Sequence, residues 1–208
     1  MSNQHIAEII KEMESDILRP DLIQDNKLHF SCNNMVLRVR MPNQLELLKA
    51  TEKKNEYEIQ LLNRENTLTL KQLKKTLKEK GIDISKMEAD IIKLDEKSLL
   101  IYDKLVKKQD TETEAIESDK KELEDIKKEK NEILDEISKR ISPSIDIQAE
   151  NYYVSYLTSI CTEKSIEEEN NVIWKSLWES FDDYLKEESS DLKFYSMGYL
   201  TQLMMKVK

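Results

Sequence analysis

Met87-Glu88-Ala89-Asp90-Ile91-Ile92-Lys93-Leu94-Asp95-Glu96-Lys97-Ser98-Leu99-Leu100-Ile101-Tyr102-Asp103-Lys104-Leu105 decides how this chain is read. Met87, Ile91, Leu94, Ser98, Ile101 and Leu105 recur at steps of four and three, the spacing that lines one face of a helix. A second series, Ile116, Asp119, Leu123, Ile126, Lys130, Ile133 and Ile137, repeats the pattern. Residues 69–141 hold one glycine, Gly81, and no proline, while Lys alternates with Glu and Asp between the apolar positions. This pattern predicts long solvated helices packed along a narrow apolar seam. Such a seam offers little room for a substrate pocket, so the chain reads first as a binding or assembly protein.

The two series are out of phase, because Leu105 and Ile116 are eleven residues apart. A continuous coiled coil absorbs this as a stutter. A turn over residues 109–113 folds the second helix back on the first instead. The absence of Gly and Pro from residues 107–114 argues for continuity. Against a parallel dimer, Asp119 would face Asp119 and Lys130 would face Lys130. The balance predicts a long charged antiparallel helical hairpin, coiled-coil-like, over residues 69–142.

The flanks differ in character. Ile6, Ile10, Met13 and Ile17 predict an amphipathic helix over residues 3–18, ended at Arg19-Pro20. Leu28, Phe30 and Cys32 alternate with polar residues. Asn33-Asn34 supplies a two-residue turn, and Leu37, Val39 and Met41 then alternate with Arg38 and Arg40, predicting a β-hairpin. Pro42 is placed to open a helix carrying Leu45, Leu48, Tyr57, Leu61 and Leu62. Thr69 is expected to cap a short helix with Leu70, Leu73 and Leu77, ended by Gly81 at the C′ position. Ser85 and Glu88 read as a capping box. After Pro143 the chain becomes aromatic, and Tyr153, Leu157 and Ile160 mark a helical stripe. Residues 164–171 read as a polar loop. Ser190 is expected to cap a last helix with Leu192, Tyr195, Tyr199 and Leu203 on one face. The fold class is therefore mainly α. Residues 1–68 (helix, hairpin, helix) and 143–208 (aromatic helices) are expected to form a small core from which the hairpin of residues 69–142 projects.

Composition limits the chemistry. The net charge of −9 disfavours nucleic acid as a partner, since that affinity rests on Lys and Arg neutralising phosphates. Cys32 and Cys161 lie far apart in no metal-ligand spacing, and only His5 and His29 accompany them. Two reduced thiols in a cytoplasmic protein are expected. No stretch approaches the roughly 20 apolar residues of a membrane span. Arg38 and Arg40 share a strand face and read as a solvated edge. Asp182 and Asp183 suit the first turn of a helix, where acids favour the positive dipole end. No glycine-rich phosphate loop, metal cluster or nucleophile motif is present, so catalytic residues, cofactor and metal are all expected to be none. Leu200, Leu203, Met204, Met205 and Val207 form a broader apolar surface than one stripe requires.

In order, the chain resembles a group of accessory proteins encoded among the tail genes of large tailed bacteriophages, the tail assembly chaperones and tail proteins. The resemblance runs from Val36-Leu37-Arg38-Val39-Arg40-Met41-Pro42 and Glu46, through Leu70, Leu73, Leu77 and Gly81, to the charged helical section of residues 87–140. It resumes at Ala149-Glu150-Asn151 with Tyr153, Leu157 and Cys161. It is clearest at Glu179-Ser180-Phe181-Asp182-Asp183-Tyr184-Leu185. Residues 1–20 have no counterpart. The resemblance implies a non-enzymatic protein of the host cytoplasm or the virion that binds another tail component. The expected partner-binding residues are Trp178, Phe181, Tyr184, Tyr199, Leu203 and Met204. The rival readings are a self-associating coiled-coil structural protein and a small acidic regulator of a host protein.

Overall fold

The computed structural model describes residues 23–24, 27–107, 113–168 and 171–206. It is mostly helical, with seven helices and a five-stranded antiparallel sheet among those residues. The helix predicted over residues 3–18 lies outside them, as do most of residues 109–113. Contacts divide the chain into two compact units: one is Glu65–Ile147, and the other joins the described residues before Glu65 to those from Gln148 onward.

In the second unit, β1 (Ile23–Gln24), β2 (Lys27–Cys32) and β3 (Met35–Arg40) start the sheet. Asn33 and Asn34 turn β2 into β3 with φ of 51° and 61°. Both central residues of a type I′ turn need that left-handed conformation, which asparagine tolerates. The register sets Leu28 opposite Val39 and Phe30 opposite Leu37 on one face, with His29 opposite Arg38 on the other. The apolar face is buried: Leu28, Leu37 and Val39 are inaccessible.

One hairpin was expected, but the sheet contains two. β4 (Thr162–Glu168) and β5 (Asn171–Ser176) occupy the stretch predicted as a polar loop, and β4 pairs with β3. Glu163, Lys164, Glu167 and Glu168 are poor strand formers. Pairing of Glu163 with Arg38, 125 residues earlier, outweighs that local preference. This also corrects the view of Arg38 and Arg40 as a solvated edge, because the order β1-β2-β3-β4-β5 makes β3 the central strand.

Helix α1 (Gln44–Leu62) follows β3, with Asn43 rather than Pro42 at its start. Asn43 Oδ1 accepts from the Glu46 amide at 2.9 Å, and Glu46 accepts from the Asn43 amide at 2.8 Å, a complete capping box. Helix α5 (Ile145–Cys161) begins in the first unit and continues into the second. Its Leu157 and Cys161 join Leu28, Val39, Ala50, Leu200 and Leu203 in one buried cluster. Helix α6 (Phe181–Lys186) is capped by Ser180, with Asp182 and Asp183 in its first turn. Helix α7 (Ser190–Lys206) packs on β2 and β3. Its capping side chain is Ser189, not Ser190: Ser189 Oγ accepts from the Leu192 amide.

The first unit holds α2 (Leu70–Glu79), α3 (Ile84–Lys107) and α4 (Thr113–Ile141). Thr69 caps α2 in a reciprocal box with Gln72. At the other end Gly81 has φ 85°, Ile82 N–H bonds Leu77 O at 2.9 Å, and Gly81 N–H bonds Lys78 O at 3.0 Å. These two bonds make a Schellman motif, which needs a left-handed residue where glycine stands. Helix α3 starts at Ile84, two residues earlier than a cap at Ser85 predicts. Asp83 Oδ1 accepts from the Lys86 amide, and Ile84 is buried. Helices α3 and α4 meet through Ile101, Leu123 and Ile126, with Leu94, Tyr102 and Leu105 packed around them. Lys130 pairs with Asp95, and Lys97 with Glu122 at 2.8 Å.

Candidate functional site

The aromatic C-terminal part divides into a buried and a reachable layer. Trp178 is 6% exposed, Tyr184 3% and Leu203 2%. The Trp178 ring stands edge-on to Tyr184 at 4.9 Å, and its Nε1 donates to Glu187 Oε2 at 3.3 Å. Cys32, Leu37 and Leu192 complete that cluster. Leu203 lies in the Leu28–Leu200 cluster instead, so Trp178, Tyr184 and Leu203 of the expected partner-binding set are buried in this chain's own core. Phe181 lies parallel to Tyr184 and edge-on to Tyr152 and Tyr156, half-buried. Tyr199 and Met204 are half-buried beside the Leu28–Leu203 cluster.

Sequence reasoning found the reachable layer only in part: it placed Met205 in a broad apolar surface but set Tyr195 inward and gave Phe194 no role. Phe194 is 73% exposed, Tyr195 46% and Met205 70%. The buried stripe of α7 is Leu192, Ser196, Leu200 and Leu203, which turns Tyr195 outward rather than inward as predicted. Phe194, Gly198, Thr201 and Met205 step by four, three and four along the opposite side. Gly198 has no heavy atom within 4 Å of where a Cβ would stand, so the stripe dips between Phe194 and Met205. The signal was present in the adjacent pair Phe194-Tyr195: neighbours on a helix are about 100° apart, so both cannot face one core. Rings run in sequence from Phe30 to Tyr199 (4.6 Å), Tyr195 (6.3 Å) and Phe194 (5.7 Å). The exposed ring is thus braced by the core.

On the polar sheet face, the Arg38 guanidinium lies 4.3 Å over the Trp174 ring while its Nε donates to Glu163 at 2.5 Å. His29 meets Trp174 edge-on at 5.1 Å. Burial, then the Arg38 and Lys27 charges, holds His29 below its ordinary pKa. Arg40 bonds both Glu46 oxygens at 2.7 and 2.8 Å, Glu163 at 3.2 Å and Ile160 O at 3.1 Å. Burial pushes the neighbouring Cys161 thiol up to about 12. A thiol so protonated is a poor nucleophile. Asp182 and Asp183 stay at the α6 start, consistent with their expected structural place.

Among the described residues, no group of three or more His, Cys, Asp or Glu is placed to hold a metal ion, and no helix is long and apolar enough to cross a membrane. His5 and Val207 lie outside those residues. No protein-family model, curated protein or solved structure matches the chain.

Proposed function

We propose that the chain is a non-enzymatic protein of tailed-phage assembly, a chaperone or tail-associated component that binds another tail protein through the outward face of α7. The observation that carries the binding surface is the exposed Phe194–Gly198–Met205 stripe with Tyr195 beside it. Rings and methionine suit an apolar segment, and a dip of this kind receives a side chain from it. The tail setting rests on the resemblance alone. The protein then works in the host cytoplasm or stays in the virion, with the acidic helices keeping the complex soluble. An affinity capture from infected cells, read by mass spectrometry, tests both points. Wild type is expected to retain a tail component that the Phe194→Ser/Met205→Ser variant loses. Retention of transcription proteins instead would favour the acidic-regulator reading.

A finer reading of the fold goes with this proposal: α3 and α4 form an antiparallel hairpin of coiled-coil type. Support comes from the two ion pairs, in which the higher partner of Asp95 and Lys97 meets the lower of Lys130 and Glu122. Spin labels at 94 and 133 are expected at about 10–20 Å, given helix axes roughly 8–10 Å apart. A separation near 58 Å, about 1.5 Å for each of the intervening residues, would mean one extended helix and would favour a self-associating rod.

A further inference from the structure

Helix α1 carries two seams. Leu47, Ala50, Lys54, Tyr57 and Leu61 step by three and four and face inward. Ala50 and Leu47 join the main cluster, Tyr57 stacks on Tyr152 at 4.4 Å, Lys54 pairs with Glu150, and Leu61 is inaccessible. Leu45, Leu48, Glu52, Asn55, Ile59 and Leu62 step by three, four, three, four and three about 150° round the helix. All six are exposed, and the apolar four are 56–59% exposed. A heptad-spaced seam, apolar at both ends and polar in the middle, left uncovered by the described residues of its own chain, suits helix pairing.

The order of residues along this seam identifies the occupant. From either end it reads apolar, apolar, polar, polar, apolar, apolar. We propose that a second copy of this chain covers it, the two α1 helices lying antiparallel about a two-fold axis through the helix midpoint. Leu45 then meets Leu62 of the partner subunit, Leu48 meets Ile59 of the partner subunit, and Glu52 meets Asn55 of the partner subunit. Each contact occurs twice, as an isologous interface requires. The Glu52 carboxylate accepts and the Asn55 amide donates, so the polar middle is satisfied. A parallel pair would set Glu52 against Glu52. The flank agrees: the exposed Lys49 falls beside Glu56 of the partner subunit, on the side where antiparallel helices bring such charges together, and Glu56, which pairs with Lys53 of its own helix at 2.8 Å, has a second oxygen to offer. Helix α3 also exposes Ile92, Leu99 and Val106, seven apart. Its intervening Glu96 and Asp103 are both acidic, so that stripe is not self-complementary. The proposal does not depend on the tail-assembly reading.

A seam about 28 Å long, from 19 residues at 1.5 Å each, is smaller than a standard interface. The dimer is therefore expected to be reversible in the micromolar range. Sedimentation equilibrium of the full chain from about 1 μM to about 1 mM reads it directly. Leu48→Lys/Ile59→Lys is expected to weaken association at least roughly tenfold, while Leu99→Lys leaves it unchanged. Lys49→Glu should weaken the dimer, and adding Glu56→Lys should restore it. Circular dichroism checks that each surface variant keeps its helices. A wild type monomeric throughout, or a Leu48→Lys/Ile59→Lys variant that dimerises like wild type, overturns the interface. Loss of the dimer in Leu99→Lys moves it to α3. Equal weakening by the single and the double charge change overturns the antiparallel register.

Discussion

Arg40 ties four segments together with a single side chain. Its guanidinium reaches Glu46 at the start of α1, Glu163 on β4 and the Ile160 carbonyl near the end of α5, while its own backbone lies in β3. The hydrogen bond from Arg40 holds the Glu46 carboxyl below its usual value of 4.5. The sign follows: the folded pKa lies under the unfolded one, so this contribution is present above about pH 4.5 and lost as pH falls through the lowered folded value. Arg40→Met leaves Glu46 without its cation, while Glu163 keeps Arg38, and is expected to cost roughly 1–3 kcal/mol, below the figure for a fully buried pair. It should also flatten the loss of stability below pH 4.5. An acid titration with the wild-type slope would show that another carboxylate sets it. Trp178→Ala is expected to cost about 3–5 kcal/mol because its ring fills the core. Lys128→Ala, on an exposed face, should cost less than about 0.5 kcal/mol. Similar small values at both positions in a denaturant titration would remove Trp178 from the core.

Among the elements, caps separate what sequence could show from what it could not. Thr69, Gly81 and the Asn33-Asn34 turn were legible because their signals are local and depend on one residue's conformation. The α3 seam was legible in part: Ile101 is buried, Leu94 and Leu105 pack beside it, and Met87, Ile91 and Ser98 are half-buried. The start of α3 was misplaced because Ser85 and Asp83 are both good caps, and burial of Ile84 chooses between them. Asp83→Ala is therefore expected to cost about 1 kcal/mol, and Ser85→Ala almost nothing. Thermal melts giving the opposite order would return the cap to Ser85. Gly81→Ala should cost about 1 kcal/mol, from its φ of 85° and not from crowding. The hairpin of β4 and β5 was hidden for a different reason. Its charged residues are strand-like only when Arg38 stands across from Glu163, and a partner so distant in sequence leaves no local mark. The candidate surface was half legible: the aromatic C-terminal part was found, but the division of Trp178, Tyr184 and Leu203 from Phe194, Tyr195 and Met205 depends on which stripe of α7 meets the sheet.

At the level of the whole molecule, both tryptophans, Trp174 and Trp178, lie in the sheet-bearing unit, while much of the helix lies in the other. Units with separate cores need not melt together. Ile126→Ala removes a buried contact between α3 and α4 and should shift the ellipticity transition more than the tryptophan fluorescence transition. Coincident shifts would mean a single cooperative body. The contiguity of the first unit has a consequence for how such a chain is put together. Residues 65–147 leave and return between neighbouring points, where the Ile145 amide bonds the Leu68 carbonyl at 2.9 Å and the Leu70 amide bonds Asp146 at 2.6 Å. A segment whose two ends meet behaves as an insert, and inserts are tolerated where their termini lie close. The charged helices are in that sense expected to behave as a cassette, whose length can change without altering the fold of the sheet-bearing unit.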